Sequence, residues 1–90
     1  MPLYVIEHEV PAVGDLTKEQ ARKATLDLLD VFEELGQRIE WVESYVVEDK
    51  AYCIYAAADK RSIRRQARKL GIPVSRIAEV RRMMKPADAT

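Results

Sequence analysis

The stretch Ile39–Ala58, IEWVESYVVEDKAYCIYAAA, decides the fold. It holds two runs of alternating residues around the short charged turn Glu48-Asp49-Lys50. Alternation sends successive side chains to opposite faces of a sheet, so the stretch predicts a β-hairpin. One face would carry Trp41, Glu43, Tyr45, Cys53 and Tyr55, and the other Val42, Ser44, Val46, Ile54 and Ala56. We expect the second set to face the core and the first to lie on an open face that carries function.

A strand and a helix precede the hairpin. Leu3–Val10 alternates, so we expect a strand with Tyr4, Ile6 and His8 on one face. Thr17 and Gln20 have the spacing of a capping box, which predicts a helix that begins there and ends at Gly36. Its apolar residues recur on one helical face. They are Ala21, Ala24, Leu28, Val31, Phe32 and Leu35.

A second helix and a last strand follow the hairpin. Asp59 is a suitable N-cap for a helix that ends at Leu70, before Gly71. The buried stripe of this helix would be narrow, consisting of Ile63, Ala67 and Leu70. Arg76–Met84 then predicts a strand, and residues 85–90 a frayed tail.

The element order βαββαβ predicts an α+β, ferredoxin-like fold in one domain, residues 1–90, with an ordered core over about residues 3–84. Right-handed crossovers give a four-stranded antiparallel sheet of order 4-1-3-2 with both helices on one face. The other face would remain open. A second copy packed face to face is the simplest cover for so short a chain, so we expect a homodimer.

Composition favours a soluble, cytoplasmic protein. No segment is long and apolar enough to span a membrane, and the N-terminus lacks the basic start of a signal peptide. The single cysteine fits a reducing compartment. The net charge is zero, but residues 1–59 hold 13 acids and 5 bases, whereas residues 60–90 hold 10 bases and 2 acids. We interpret the two halves as solvated faces that pair with each other or with another copy.

Nucleic acid is not the expected partner. The third strand, Lys50–Tyr55, loosely echoes an RNA-recognition pattern, but it lacks the glycines. Its aromatic residues Tyr52 and Tyr55 would also lie on different sheet faces, with Tyr55 on the open one. The zero net charge gives no long-range attraction to phosphate.

The open face supplies the candidate site. The expected register pairs Tyr45 with Cys53 and places His8, the single histidine, beside Cys53. A neutral imidazole could bind a transition metal or act as a general base. His8 could equally be a structural histidine bonded to Glu43, Glu79 or Tyr45. The aromatic residues Tyr4, Trp41, Tyr45 and Tyr55 fit either a dimer interface or a ligand pocket.

The chain resembles a family of small bacterial proteins. The resemblance runs from Met1-Pro2-Leu3 to Arg81 and rests on Trp41–Val46, Glu48-Asp49-Lys50 and Tyr52–Tyr55, together with Ile63–Ala67, Gly71-Ile72-Pro73 and Arg76–Val80. The best-known member is a dimeric, nickel-binding protein of ferredoxin-like fold. The resemblance implies a dimer with a pocket at the open face and nickel as the ion. His8 and Cys53 match family residues, whereas the helices lack the histidines of other relatives.

These observations leave three hypotheses. The first is a nickel-binding protein in which His8 is the main ligand and Glu7, Glu43, Cys53 and Glu79 are candidate partners. The second is a small-molecule binding protein or enzyme of the dimeric α+β barrel type, with a pocket formed by Tyr4, Ile6, Trp41, Tyr45 and Tyr55. The third is a dimerisation module without a ligand. No catalytic residue is predicted.

Overall fold

The structure is a computed structural model that describes residues 1–89, at residue 37 for the backbone only. Over these residues the elements are β1 (Leu3–Glu9), α1 (Lys18–Leu35), β2 (Ile39–Val46), β3 (Lys50–Ala57), α2 (Lys60–Leu70) and β4 (Arg76–Glu79). Short 3-10 turns occupy Val13–Asp15, Gly36–Arg38 and Pro86–Ala89. Within this part of the chain, no helix has both the length and the apolar character needed to cross a membrane.

The predicted helix ends are confirmed. Thr17 and Gln20 exchange two hydrogen bonds of 2.9 and 3.1 Å, which satisfy backbone donors at the start of α1. The Asp59 carboxylate accepts from the Ser62 backbone N–H at 2.9 Å and so caps α2. Gly71 ends α2 in the left-handed conformation, at φ +68°, which costs glycine little because it has no Cβ.

The sheet has the predicted topology. Its four described strands are antiparallel, in the order β2-β3-β1-β4, the reverse reading of 4-1-3-2.

The last strand, β4, is shorter than the predicted Arg76–Met84. It pairs with β1, and Tyr4 lies opposite Glu79. The Val80 N–H still donates to the Leu3 carbonyl. Beyond this bond β1 has no residues left to pair, so the ladder ends. Residue 90 of the predicted tail lies outside the described residues.

The register of the hairpin differs from the prediction by one residue. Ser44 lies opposite Cys53, and Tyr45 lies opposite Tyr52. The turn is tighter than expected, because the Val47 N–H donates to the Lys50 carbonyl at 2.9 Å and leaves two residues in the loop. The expected pair of Tyr45 with Cys53 is therefore wrong. The expected placement of His8 beside Cys53 is also wrong, because His8 lies opposite Ala51 and Cys53 lies opposite Ile6.

A β-bulge in β2 changes the face of its later residues. Trp41 lies opposite Tyr55, but Glu43 lies opposite Ile54, so Val42 is the extra residue. Before the bulge, Trp41 shares the face of Tyr55. After it, Glu43 and Tyr45 point to the opposite face. The simple alternation that the sequence suggests is therefore broken in the middle of this strand.

The core lies on the face that the sequence predicts to be open. Tyr55 is 1% exposed, and its ring meets Phe32 of α1 edge-on at a centroid distance of 5.0 Å. Its hydroxyl accepts a hydrogen bond from Gln66 of α2 at 3.2 Å. The same cluster holds the following buried residues: Tyr4, Ile6, Ile39, Cys53, Ala57 and Ile63. The covered face is thus the one with most of the aromatic rings.

The assignment of the two faces is corrected accordingly. Trp41, Cys53 and Tyr55 face the helices, whereas Glu43 and Tyr45 remain on the open face. Of the residues expected in the core, Ile54 lies on the open face and Val42 is exposed. Alternation separates two faces but does not say which one the helices cover. The gain from burying the large aromatic rings exceeds the cost of burying their polar groups, because the Tyr55 hydroxyl has a buried hydrogen-bond partner in Gln66.

The loop between β1 and α1 is fastened to the β2–β3 turn. The Gly14 N–H donates to the Glu48 carbonyl at 2.9 Å, and the Ala12 N–H donates to the Asp49 carboxylate at 2.9 Å. A Cβ at Gly14 would lie 2.5 Å from the Val47 carbonyl oxygen, so this close approach requires glycine. The loop is thereby held beside the start of α1.

Candidate functional site

A cavity of about 320 Å³ lies between the sheet and the first half of α1. Its apolar walls come from the β1–α1 loop, from β2, from α1 and from the end of α2. They include Val10, Val13, Leu16, Leu28, Trp41, Val46, Leu70 and Ile72. The volume falls in the range of small-molecule sites, as does the mainly apolar lining.

Small residues at the start of α1 create this cavity. Ala21 and Ala24 lie on the predicted apolar stripe, yet both are exposed and line the cavity. Leu28 and Phe32 follow one and two turns later, and their larger side chains reach the core cluster. The helix is therefore packed against the sheet at its C-terminal half and stands away from it at its N-terminal half.

The mouth of the cavity has exposed apolar residues. Leu16 is 41% exposed, and Val46 is 53% exposed. Both line the cavity, one on the β1–α1 loop and the other at the end of β2. Large aliphatic side chains so placed are costly to hydrate, which favours an apolar molecule at this opening.

His8 is the one cavity-lining residue, among those described, that titrates near neutral pH, and it is 3% exposed. Its Nδ1 lies 3.1 Å from the Pro73 carbonyl oxygen. Because a carbonyl only accepts, Nδ1 carries the proton and Nε2 is left with a free lone pair. Burial lowers the pKa of His8 below 6.5, although the bond to Pro73 opposes this shift in part. The ring is therefore neutral at physiological pH.

Two further buried groups line the same cavity as His8. Cys53 is a free, buried thiol, and it lines the cavity together with Tyr55. Burial raises the pKa of the Tyr55 hydroxyl, and interaction with Cys53 raises it further. The Tyr55 hydroxyl is thus held in its neutral form and is a poor proton donor at neutral pH.

The predicted pocket residues are only partly brought together. Trp41 and Tyr55 line the cavity. Tyr4 and Ile6 are buried in the core beside it. Tyr45 lies on the open face, where its hydroxyl donates to Glu43, and it is 57% exposed. The aromatic belt is therefore divided between the two faces of the sheet.

The predicted metal ligands are likewise divided. His8 and Cys53 line the same cavity. Glu7 lies on the open face, where Lys50 binds its carboxylate at 3.1 Å and lowers its pKa. Glu43 is also on that face, and Glu79 is exposed on the edge strand β4. Among the described residues, no three or more His, Cys, Asp or Glu side chains are grouped so that they could hold a metal ion.

The expected partners of His8 are also wrong. Its hydrogen bond goes to the Pro73 backbone, which follows α2, and not to Glu43, Glu79 or Tyr45. The lining residues Val13, Leu16 and Ile72 were likewise missed as site residues. These residues come from loops, whose position depends on tertiary contacts. One available signal was the pair of alanines, Ala21 and Ala24, on a stripe that otherwise holds large residues.

The fold and the cavity define a small ferredoxin-like α+β protein with a ligand-sized space beneath its first helix. The family model described as "Nickel responsive protein SCO4226-like" matches residues 4–80. The chain belongs to this family.

Comparison with solved structures confirms the fold. The crystal structure of SCO4226 from Streptomyces coelicolor A3(2) is similar to this chain with a TM-score of 0.73. The match covers 91% of this chain and 99% of that one, at 15% sequence identity. No curated protein matches the sequence. At this identity the similarity establishes the fold and leaves the activity to be argued from the site.

The buried neutral His8 predicts a pH-dependent stability. Its pKa in the folded state is lowered below 6.5, so the unfolded chain binds a proton more readily. The contribution of His8 to the free energy of unfolding should be constant above about pH 6.5 and should fall as the pH drops from there towards the lowered pKa, by at most about 1.4 kcal/mol per pH unit.

Urea denaturation of the wild type and of His8→Phe between pH 7.5 and 5 measures this effect. The variant removes the titrating group but keeps a ring of similar size, so its stability should vary less over the interval. Identical pH profiles for the two proteins would contradict the prediction.

Proposed function

We propose that this protein binds a small, predominantly apolar molecule in the cavity beneath α1. The observation that carries this proposal is a ligand-sized space with apolar walls and one buried, neutral histidine, His8. A merely structural histidine would be expected in a filled core. Here it lines a space that the small residues of α1 leave open, and exposed apolar side chains surround the mouth.

The chemistry of the cavity supports binding over catalysis. A general base usually has an orienting carboxylate, but the Nδ1 of His8 bonds to a backbone carbonyl. Burial holds the Tyr55 hydroxyl neutral by raising its pKa, which makes it a weak source of protons. The arrangement can orient and desolvate a ligand, but it offers neither an oriented general base nor a ready proton donor for a reaction.

Blocking the cavity should abolish binding of an apolar probe. Ala24→Phe adds a ring on the wall formed by α1, and we expect it to weaken binding of N-phenyl-1-naphthylamine at least about tenfold, since the added volume competes for the same space. Probe fluorescence, excited by energy transfer from the single tryptophan, Trp41, in the cavity wall, measures the affinity.

The matched control is Leu29→Phe. It enlarges an exposed side chain of the same helix that does not line the cavity, so its affinity should equal that of the wild type. If the wild type does not bind the probe, or if both variants bind it as the wild type does, the proposed site is wrong.

A second candidate function is nickel binding, which the name of the family favours. The donor set fits nickel only in part. His8 has the arrangement usual for a metal-binding histidine, in which one ring nitrogen bonds to a carbonyl and the other is free to bind the ion. Cys53 lines the same cavity. These are two donors, and the described residues hold no group of three. Water, a bound ligand or a second chain would have to complete the coordination of the ion.

Titration calorimetry with nickel and with zinc tests this candidate. If nickel binds at His8, His8→Ala should weaken binding about tenfold or more, because the imidazole is the strongest donor of the set. Glu43→Gln is the control, since it removes a carboxylate on the open face. Heat that is unchanged in His8→Ala, or absent in the wild type, would contradict nickel binding at this site.

We also propose that two copies pair through the open face. Its partly buried apolar residues Val5, Ile54 and Ala78 lie next to charges of both signs, Glu7 and Arg76. A two-fold axis through such a face brings apolar surface onto apolar surface and lets opposite charges meet.

A charge at the centre of this face should prevent pairing. Ile54→Lys would bury an unpaired ammonium in the interface, so sedimentation should show monomers where the wild type forms dimers. Leu29→Lys adds the same charge to an exposed site on α1 and should leave the dimer intact. A wild type that sediments as a monomer at about 100 μM would contradict the proposal.

The buried, free Cys53 supports a cytoplasmic location for this protein. A reducing compartment keeps a lone thiol from forming disulfides, whereas secreted domains of this size usually use their cysteines in pairs.

A further inference from the structure

The polar groups of the cavity differ in what they leave free for a ligand. The Thr25 hydroxyl donates to the Ala21 carbonyl of its own helix. The Ser44 hydroxyl accepts from the Trp41 indole at 2.9 Å. The Tyr55 hydroxyl accepts from Gln66 and interacts with the Cys53 thiol. Each of these groups already has a partner in the protein.

His8 is different, because one of its nitrogens is engaged and the other is not. Nδ1 bonds to the Pro73 carbonyl, and among the described residues no hydrogen bond reaches Nε2. The side chain is only 3% exposed, but Nε2 is not among the fully buried atoms that lack a partner, so it reaches the open space of the cavity. A lone pair of this kind gains most from a donor that enters the cavity with the ligand.

We propose that His8 selects the ligand, by accepting at Nε2 a hydrogen bond from a hydroxyl or N–H group on an otherwise apolar, uncharged molecule. This inference rests on the proposed ligand-binding function and narrows it to a class: phenols, alcohols and similar amphiphiles with one donor. Carboxylates and phosphates are excluded, since the free lone pair repels an anion and the apolar walls cannot solvate one.

The alternative assignment of the proton does not fit the surroundings. A proton on Nε2 would leave the Nδ1 lone pair facing the Pro73 carbonyl oxygen across 3.1 Å, which is repulsive. A doubly protonated ring would place a cation among apolar side chains, and none of the described residues that line the cavity carries a carboxylate to offset it. Burial opposes that charge, so the acceptor form of Nε2 is the one that the site maintains.

Two probes of nearly equal size test the inference. 2-Naphthol carries a hydroxyl where 2-methylnaphthalene carries a methyl group. The ratio of their dissociation constants is measured for the wild type, His8→Phe and His8→Gln by quenching of Trp41. Differences in solubility affect the ratio equally in all three proteins, so the change in the ratio isolates the contact with residue 8.

We expect the preference for 2-naphthol to fall about tenfold in His8→Phe, the effect of one buried hydrogen bond. His8→Gln retains an acceptor oxygen and should restore part of the preference. An unchanged ratio in His8→Phe would overturn the role of His8 while leaving the ligand-binding function intact. Failure of the wild type to bind either probe would overturn both.

A measurement on the unaltered protein makes the test independent of the variants. His8 is the single histidine, so ¹⁵N labelling of histidine gives one pair of ring nitrogens. 2-Naphthol should shift the Nε2 resonance towards that of a hydrogen-bonded acceptor, and 2-methylnaphthalene should not. Equal shifts with the two probes, or none with 2-naphthol, would overturn the inference even if His8→Phe failed to fold.

Discussion

The packing of Tyr55 decides the arrangement of the whole molecule. Its ring meets Phe32 of α1, and its hydroxyl accepts from Gln66 of α2, so one residue of the central strand β3 joins the sheet to both helices. Burying a ring of this size contributes on the order of 2 kcal/mol, provided that the polar tip has a partner. Gln66 is that partner. Because the helices cover the face that carries Tyr55, the β3 residues on either side of it, such as Ile54, point to the open face.

The cavity is a consequence of the same packing. Phe32 holds the C-terminal half of α1 on the sheet, while Ala21 and Ala24 are too small to close the space at the other end. The β1–α1 loop cannot collapse into this space, because Gly14 is fastened to the β2–β3 turn. A rigid strand thus carries His8 to a space that the helix leaves unfilled, and the Pro73 carbonyl sets its tautomer. Preorganisation of this kind suits the recognition of a ligand.

The candidate site could be predicted only in part. The sequence places His8 and Cys53 on one sheet face, and in the structure both line one cavity, but the expected direct pairing is wrong because His8 lies opposite Ala51. Glu43 could not be excluded in advance, because the tight turn moved the register and placed it opposite Ile54 on the other face. A shift of one residue exchanges the faces of a strand. Glu7 lies next to His8 on β1, so alternation alone already directs it to the opposite face. Whether any of these residues binds nickel remains a prediction.

The sequence by itself determined the elements and their order. Local signals such as the Thr17–Gln20 capping box, Asp59 and Gly71 act within a few residues, so they can be read without the fold. Only the tertiary structure decided which sheet face the helices cover, where β4 ends, and that His8 meets Pro73, 65 positions away. These outcomes depend on the packing of side chains from distant segments, and periodicity along the chain carries no information about such contacts.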